Sequence, residues 1–306
     1  MAKGNNPLAV EIAGIKMKTP VMTASGTFGN GPEYADYVDL NEIGAVVSKG
    51  VSVKPRAGNA GVRMAETPAG MLNCIGLENP GIDAFIEKTL PETRKYDVPL
   101  IINITGNTIE EYVTLAERLN DVQGVAGLEL NISCPNVKSG MAFGSDCVMA
   151  AEAVRAVKKA SSLPLITKMT PNVTNITSIA KAIEDAGSDA ISLINTLLGM
   201  AIDANTRKPI LGNVTGGLSG PAVKPVALAL VYQVANAVDI PVIGIGGIMT
   251  GTDAIEFMLA GASAISVGTA NFINPRSSQT VADEMLAYLK EHNIDHINDI
   301  VGKLII

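Results

Sequence analysis

Eight short runs rich in β-branched and apolar residues recur along the chain with longer amphipathic stretches between them, and this alternation constrains the fold more than any other feature. The runs are Val21 to Ala24, Ala45 to Lys49, Leu100 to Ile104, Gly127 to Ile132, Leu165 to Met169, Ala190 to Asn195, Val242 to Gly246 and Ala264 to Gly268. Helix-like segments between or after them include Thr108 to Asn120, Ser145 to Ala160, Thr174 to Ala186, Pro221 to Ala237, Gly251 to Leu259 and Arg276 to Glu291. Parallel strands need such crossovers, so the pattern predicts an α/β protein, a single (β/α)8 TIM barrel over residues 1–306. Thr108 ahead of Glu110 and Glu111, Ser145 ahead of Asp146, and Pro221 in a first turn mark three helix starts. Before the first strand, Leu8 to Lys18 alternates apolar and polar residues around Ala13-Gly14, which predicts a hairpin closing the barrel bottom.

Barrel chemistry sits at the carboxyl ends of the strands, and one polar residue falls there after each of the first six. These are Ser25, Lys49, Asn103, Asn131, Lys168 and Asn195. Singly, each reads more readily as a cap than as a ligand contact; six in register point to one polar mouth. The last two strands end instead in Gly244-Ile-Gly-Gly247 and Val267-Gly-Thr269. Glycines let backbone N–H groups approach a phosphate, and barrels often bind phosphate at this point, although a tight βα turn would also use them. A lysine ending an apolar strand, as Lys49 and Lys168 do, meets an anion or an electron-rich ring such as a reduced flavin; a Schiff-base lysine is the competing reading.

Cys134 lies in Asn-Ile-Ser-Cys-Pro-Asn, Asn131 to Asn136, directly behind the fourth strand-like run. Free cysteine usually behaves as a small hydrophobe, and Cys74 and Cys147 fit that description. Two flanking asparagines and the strand-end position single out Cys134 as a reacting group. The segment that follows, Pro135 to Asp146, is long for a βα connection and predicts a lid over the active rim.

The formal net charge of −7 and a sequence pI near 5.0 disfavour a basic nucleic-acid surface. Three cysteines without a CxxC spacing argue for a reducing compartment and are fewer than the four an iron–sulfur cluster takes. Met1 to Pro7 has no signal-peptide core and the apolar runs are too short to span a bilayer, so a cytoplasmic location is expected.

The run NISCPN, together with ASGTFG from Ala24 to Gly29, SKG from Ser48 to Gly50, NCIGLENPG from Asn73 to Gly81 and the closing glycine motifs, resembles the class 1 dihydroorotate dehydrogenases over nearly the whole chain. The resemblance implies an FMN enzyme of pyrimidine biosynthesis in which Cys134 takes the C5 proton of dihydroorotate while the C6 hydride passes to FMN. It assigns substrate contact to Lys49, Asn73, Cys74, Ile75, Gly76, Leu77, Asn131, Asn195 and Thr196. FMN contact falls on Ser25, Lys49, Gly50, Asn103, Asn131, Lys168, Ile194, Gly220, Gly246, Gly247, Gly268 and Thr269. No metal is implied on this chain. The stretch NCIGLENPG is more similar to class 1B, which passes electrons to NAD through a partner carrying FAD and a [2Fe-2S] cluster. A homodimer of this chain within a heterotetramer is the implied assembly. A fumarate-reducing class 1A enzyme, a dihydropyrimidine-dehydrogenase-like enzyme and a noncatalytic barrel subunit are the alternatives, and the acidic pI disfavours a dihydrouridine synthase.

Overall fold

The computed structural model describes residues 6–133 and 143–306. Its eight barrel strands, in chain order, are Val21–Thr23, Val46–Val47, Leu100–Ile104, Gly127–Asn131, Leu165–Lys168, Ala190–Leu193, Val242–Ile245 and Ala264–Val267. Each of the eight expected runs contains one. Every residue of these strands is buried, because helices cover the outer face and neighbouring strands fill the interior. Around the barrel each strand pairs in parallel with its neighbours, the eighth returning to the first through Ile265 opposite Val21. The first and second strands meet through a single bridge, Met22 to Ala45, and the Thr23 amide donating to the Ala45 carbonyl at 3.1 Å.

The helices begin where side chains can accept their free first-turn amides. Thr108 accepts from the Glu111 amide, Asn175 from that of Ser178, and Thr250 forms a reciprocal box with Asp253. The cap expected at Ser145 falls one residue later: Ser145 ends a 3-10 turn, Phe143–Ser145, and the Asp146 carboxylate accepts from the Met149 amide. Pro221 likewise opens a 3-10 turn, and the following α-helix runs from Lys224 to Ala235. Among the described residues no helix is long and apolar enough to cross a membrane.

The N-terminal hairpin pairs Val10–Ile12 with Ile15–Met17 in antiparallel register. Ala13 and Gly14 both take positive φ, 53° and 82°, the handedness a two-residue hairpin loop needs. Ile15 packs so closely on Gly127, the first residue of the fourth barrel strand, that a Cβ there would lie 2.9 Å from Cδ1. The hairpin therefore plugs the amino-terminal end of the barrel.

At the opposite end, a four-stranded antiparallel sheet stands over the barrel mouth, and the strand-by-strand sequence pattern did not predict it. Its strands are Met64–Thr67 and Gly70–Asn73, inserted after the second barrel strand, with Leu197–Met200 and Thr215–Ser219, inserted after the sixth. The sheet order places Thr215–Ser219 between Leu197–Met200 and Gly70–Asn73. Leu72, Cys74 and Leu211 form a small core of their own beneath it. Two separate insertions thus make one roof.

Candidate active site

A cavity of about 270 Å³ lies between the carboxyl ends of the barrel strands and this sheet. Its floor is built by side chains that point inward from adjacent strands. Parallel register sets Asn103 beside Glu129 and Asn131 beside Lys168, so alternate residues of the third to fifth strands share the inner face. Lys168 Nζ lies 3.3 Å from Glu129 Oε1 and donates to Ser25 Oγ at 3.0 Å. Asn103 Nδ2 donates to the same Glu129 oxygen at 2.7 Å and to Ser25 Oγ at 3.3 Å. The Lys168 and Glu129 side chains are only 6 % and 3 % exposed, so this is a buried ion pair, with Asn103 and Ser25 supplying a further hydrogen-bond partner to each member.

Gly50 completes this side, since a Cβ there would come within 3.2 Å of Asn103 Oδ1. Lys49 is half-buried at the rim and forms no ion pair among the described residues, although its charge helps the Arg63 hydrogen bond to hold the Glu78 carboxyl below the ordinary carboxylate range. Beside it, Asn195 Nδ2 donates to Ser133 Oγ at 2.9 Å and to Asn131 Oδ1 at 3.4 Å, and Asn195 Oδ1 accepts from the Thr196 amide. The Tyr112 hydroxyl holds the Asn131 carbonyl from below at 2.7 Å. Residues on both flanks of the fourth strand's exit are consequently fixed.

The glycine side is a backbone cradle. Gly247 has φ of 74°, and a Cβ on it would meet the Lys224 amide nitrogen at 2.8 Å and the Gly220 carbonyl at 2.9 Å. Only glycine fits there without displacing backbone. Gly246, Gly268, Thr269 and Ile194 also line the cavity, and Thr269 Oγ1 donates to Ser219 Oγ at 2.8 Å, tying the eighth strand's end to the roof. Burial would lower the pKa of Lys224, but its bonds to Asp253 and Glu256 outweigh that and hold it above its ordinary value. Its charge is thus committed to carboxylates.

The roof contributes Asn73, Ile75 and Leu77 to the cavity. Asn73 Nδ2 donates to the Gly217 carbonyl at 3.3 Å, while Asn59 Nδ2 donates to the Cys74 carbonyl at 2.9 Å. Leu77 takes φ of 58°, an uncommon conformation for a branched side chain, and Asn79 Nδ2 donates to its carbonyl at 2.8 Å. Buried Asn79 also binds Ser52 Oγ through Nδ2 and accepts from the Gly81 amide, so one side chain clips the loop to the barrel.

Of the residues singled out in the sequence, Ser25, Lys49, Gly50, Asn73, Ile75, Leu77, Asn103, Asn131, Lys168, Ile194, Asn195, Thr196, Gly220, Gly246, Gly247, Gly268 and Thr269 line this one cavity. Cys74 and Gly76 do not. The Cys74 thiol points into the roof's core, 3.6 Å from the Val62 carbonyl, and Gly76 packs against Asn59. Cys134 and residues 135–142 of the expected lid lie outside the described residues. Sequence reading passed over Glu129, Ser133 and Ser219. Glu129 was within reach, because it stands two residues before Asn131 on a strand and must face the same way.

The cavity also fits a flavin mononucleotide: a buried cation faces one end, a glycine cradle bounds another, and Val223, Ile245, Ile248 and Met249 supply apolar wall between. A parallel eight-stranded barrel with one polar, lysine-bearing mouth at its carboxyl ends defines the class, the (β/α)8-barrel enzymes. The family model described as "Dihydroorotate dehydrogenase" matches residues 7–289, and the chain belongs to that family. It is 59% identical over 303 residues to the "Dihydroorotate dehydrogenase B (NAD(+)), catalytic subunit" of Geotalea uraniireducens (strain Rf4), covering 99% of each chain. The proteins of that name from Geobacter sp. (strain M21) and Alkaliphilus metalliredigens (strain QYMF) are 60% and 59% identical over 298 residues, 97% of this chain and 98% of each relative. The crystal structure of DHODH from Eimeria tenella in complex with ferulenol shares the fold, with a TM-score of 0.81 at 23% identity over 99% of this chain and 90% of that one.

Proposed function

We propose that the chain is the catalytic subunit of an NAD-linked dihydroorotate dehydrogenase, a single FMN-binding barrel domain that oxidises dihydroorotate to orotate in pyrimidine biosynthesis. The observation that carries this reading is the convergence of six strand-end polar residues, a glycine cradle and the Asn73 loop on one cavity, in a chain about 59% identical to named catalytic subunits over its length.

FMN, when bound, supplies the acceptor for the hydride that leaves C6 as the C5–C6 double bond forms. The chain's residues do the rest. Lys168, Ser25 and Asn103 would hold the flavin from the floor with Gly50 and Ile194 beside them, and Gly220, Gly246, Gly247, Gly268 and Thr269 would seat its phosphate. Asn73, Asn131, Asn195 and Thr196 offer donors and acceptors to the amide edges of the substrate, with Ile75 and Leu77 packing beside it. Cys74 and Gly76 lie outside the cavity and shape the loop that presents Ile75 and Leu77. Lys49 meets the substrate carboxylate, and its charge favours the thiolate of Cys134, which takes the C5 proton.

Electrons leave through a separate subunit carrying FAD and a [2Fe-2S] cluster, since this chain has three cysteines and a cluster takes four. The assembly is a cytoplasmic heterotetramer built on a homodimer of this chain. Anaerobic addition of dihydroorotate to the FMN-loaded protein tests the reading: the oxidised flavin spectrum should bleach. Bleaching by uracil and not by dihydroorotate would overturn it.

A further inference from the structure

Glu129 is a buried carboxylate that the proposed reaction does not use. It lies at the floor, beneath the cation that faces the flavin cavity, and makes no contact with the cavity itself. Two neighbours fix it: Asn103 donates to Oε1 at 2.7 Å and Lys168 Nζ stands 3.3 Å from the same oxygen. The pair is almost wholly shielded from water, so each charge acts on its surroundings with little screening. Reduction of a flavin adds negative charge to the ring, and an unopposed lysine at the cavity wall would favour the reduced form strongly.

We propose that Glu129 is a positioning residue that holds the Lys168 ammonium in place and, by opposing its charge, keeps the flavin's reduction potential low. The inference rests on the FMN reading. A flavin poised too high would take electrons from dihydroorotate readily yet pass them on poorly, so a carboxylate behind the lysine balances capture against release. Asn103 completes the device by donating to the same carboxylate oxygen that Lys168 approaches, and Ser25 Oγ accepts from both.

The test is the midpoint potential of FMN bound to the full-length protein, with Glu129→Gln, Lys168→Met and the double variant compared. Glutamine keeps the shape and the acceptor for Asn103 while removing the charge. E129Q should shift the two-electron equilibrium at least tenfold toward reduced flavin, about 30 mV upward. K168M should move it downward, and adding E129Q to K168M should shift it by less than half as much as E129Q does alone. Glu129→Asp retains the charge and guards against misfolding of E129Q; drawing the carboxylate back from Lys168, it should give a smaller rise. An unchanged potential in a folded, FMN-bound E129Q or E129D protein overturns the role of Glu129 and leaves the FMN reading standing. A wild-type protein that takes up no FMN overturns both.

Discussion

The floor and the roof of the cavity are held by different physics. Floor residues stand on parallel strands buried on both faces or, as Ser25 does, just beyond a strand's end, and their side chains are locked by hydrogen bonds among Ser25, Asn103, Glu129 and Lys168, most of them to a charged group. Roof residues stand at the end of the antiparallel strand Gly70–Asn73 and on the loop that leads from it to the helix at Ile82, held by backbone bonds and by two asparagines, Asn59 and Asn79, with Met64, Leu198 and Ile202 exposed on the same insertions. Rigid strands suit a group that stays; a loop clipped at a few points suits a ligand that comes and goes. On the proposed reading the Ser25, Asn103 and Lys168 cluster of the floor serves the cofactor, and the Asn73 loop of the roof, together with Asn131 and Asn195 at the strand ends, serves the substrate.

The largest separation of the two should come at Cys134. Cys134→Ala is expected to slow flavin reduction by dihydroorotate by about two to four orders of magnitude in stopped-flow measurement, with FMN content unchanged. Cys147→Ala, on a helix behind the barrel, should leave that rate within about twofold. Next come paired variants of floor and roof. Lys168→Met should weaken FMN binding by roughly tenfold to a hundredfold, whereas Asn73→Ala should raise the KM for dihydroorotate by a similar factor and leave FMN affinity alone. Effects of both variants on both ligands would erase the division.

Asn79→Ala removes the clip without touching the cavity, and should cost about 1 to 3 kcal/mol in chemical denaturation while weakening substrate more than FMN. The smallest effect belongs to the helix cap behind the glycine cradle. Burial opposes ionisation of Asp253, but its bonds from Lys224 and from the amides of Met249 and Thr250 outweigh that and hold its pKa below 3.8, while that of Lys224 is held above 10.5. A depressed carboxylate stabilises the fold above its unfolded pKa and loses that contribution as pH falls through the lower folded value; the raised ammonium loses its own as pH climbs through the folded value above 10.5. Asp253→Asn should thus lower stability at pH 7 by about 1 to 2 kcal/mol, and by less near pH 3, as thermal melts would show.

The barrel was readable because each strand is a short continuous apolar run and the chain returns to it after an amphipathic helix; the strand-end lysines and asparagines then had only one place to converge. The roof was not readable for the opposite reason. Met64–Thr67 and Gly70–Asn73 alternate weakly, Thr215–Ser219 contains two adjacent glycines, and the pairing that joins the two insertions, Gly70–Asn73 with Thr215–Ser219, links residues more than a hundred positions apart. Gly217 is glycine because Thr196 occupies the space of a Cβ, a reason that lies in the tertiary contact and not in the local pattern. Cys74 misled for a similar reason: its motif belongs to the cavity's edge, but the alternation of an antiparallel strand turns its thiol into the roof. Glu129 needed only the two-residue period of its own strand.

A crystal structure of the protein with FMN and orotate bound would test the division of floor and roof most directly. The account predicts the flavin ring within hydrogen-bonding distance of Lys168, its phosphate at Gly246, Gly247, Gly268 and Thr269, and orotate held between Asn73 and Asn195. Orotate bound without contact to the Asn73 loop, or a flavin phosphate seated away from that cradle, would contradict it.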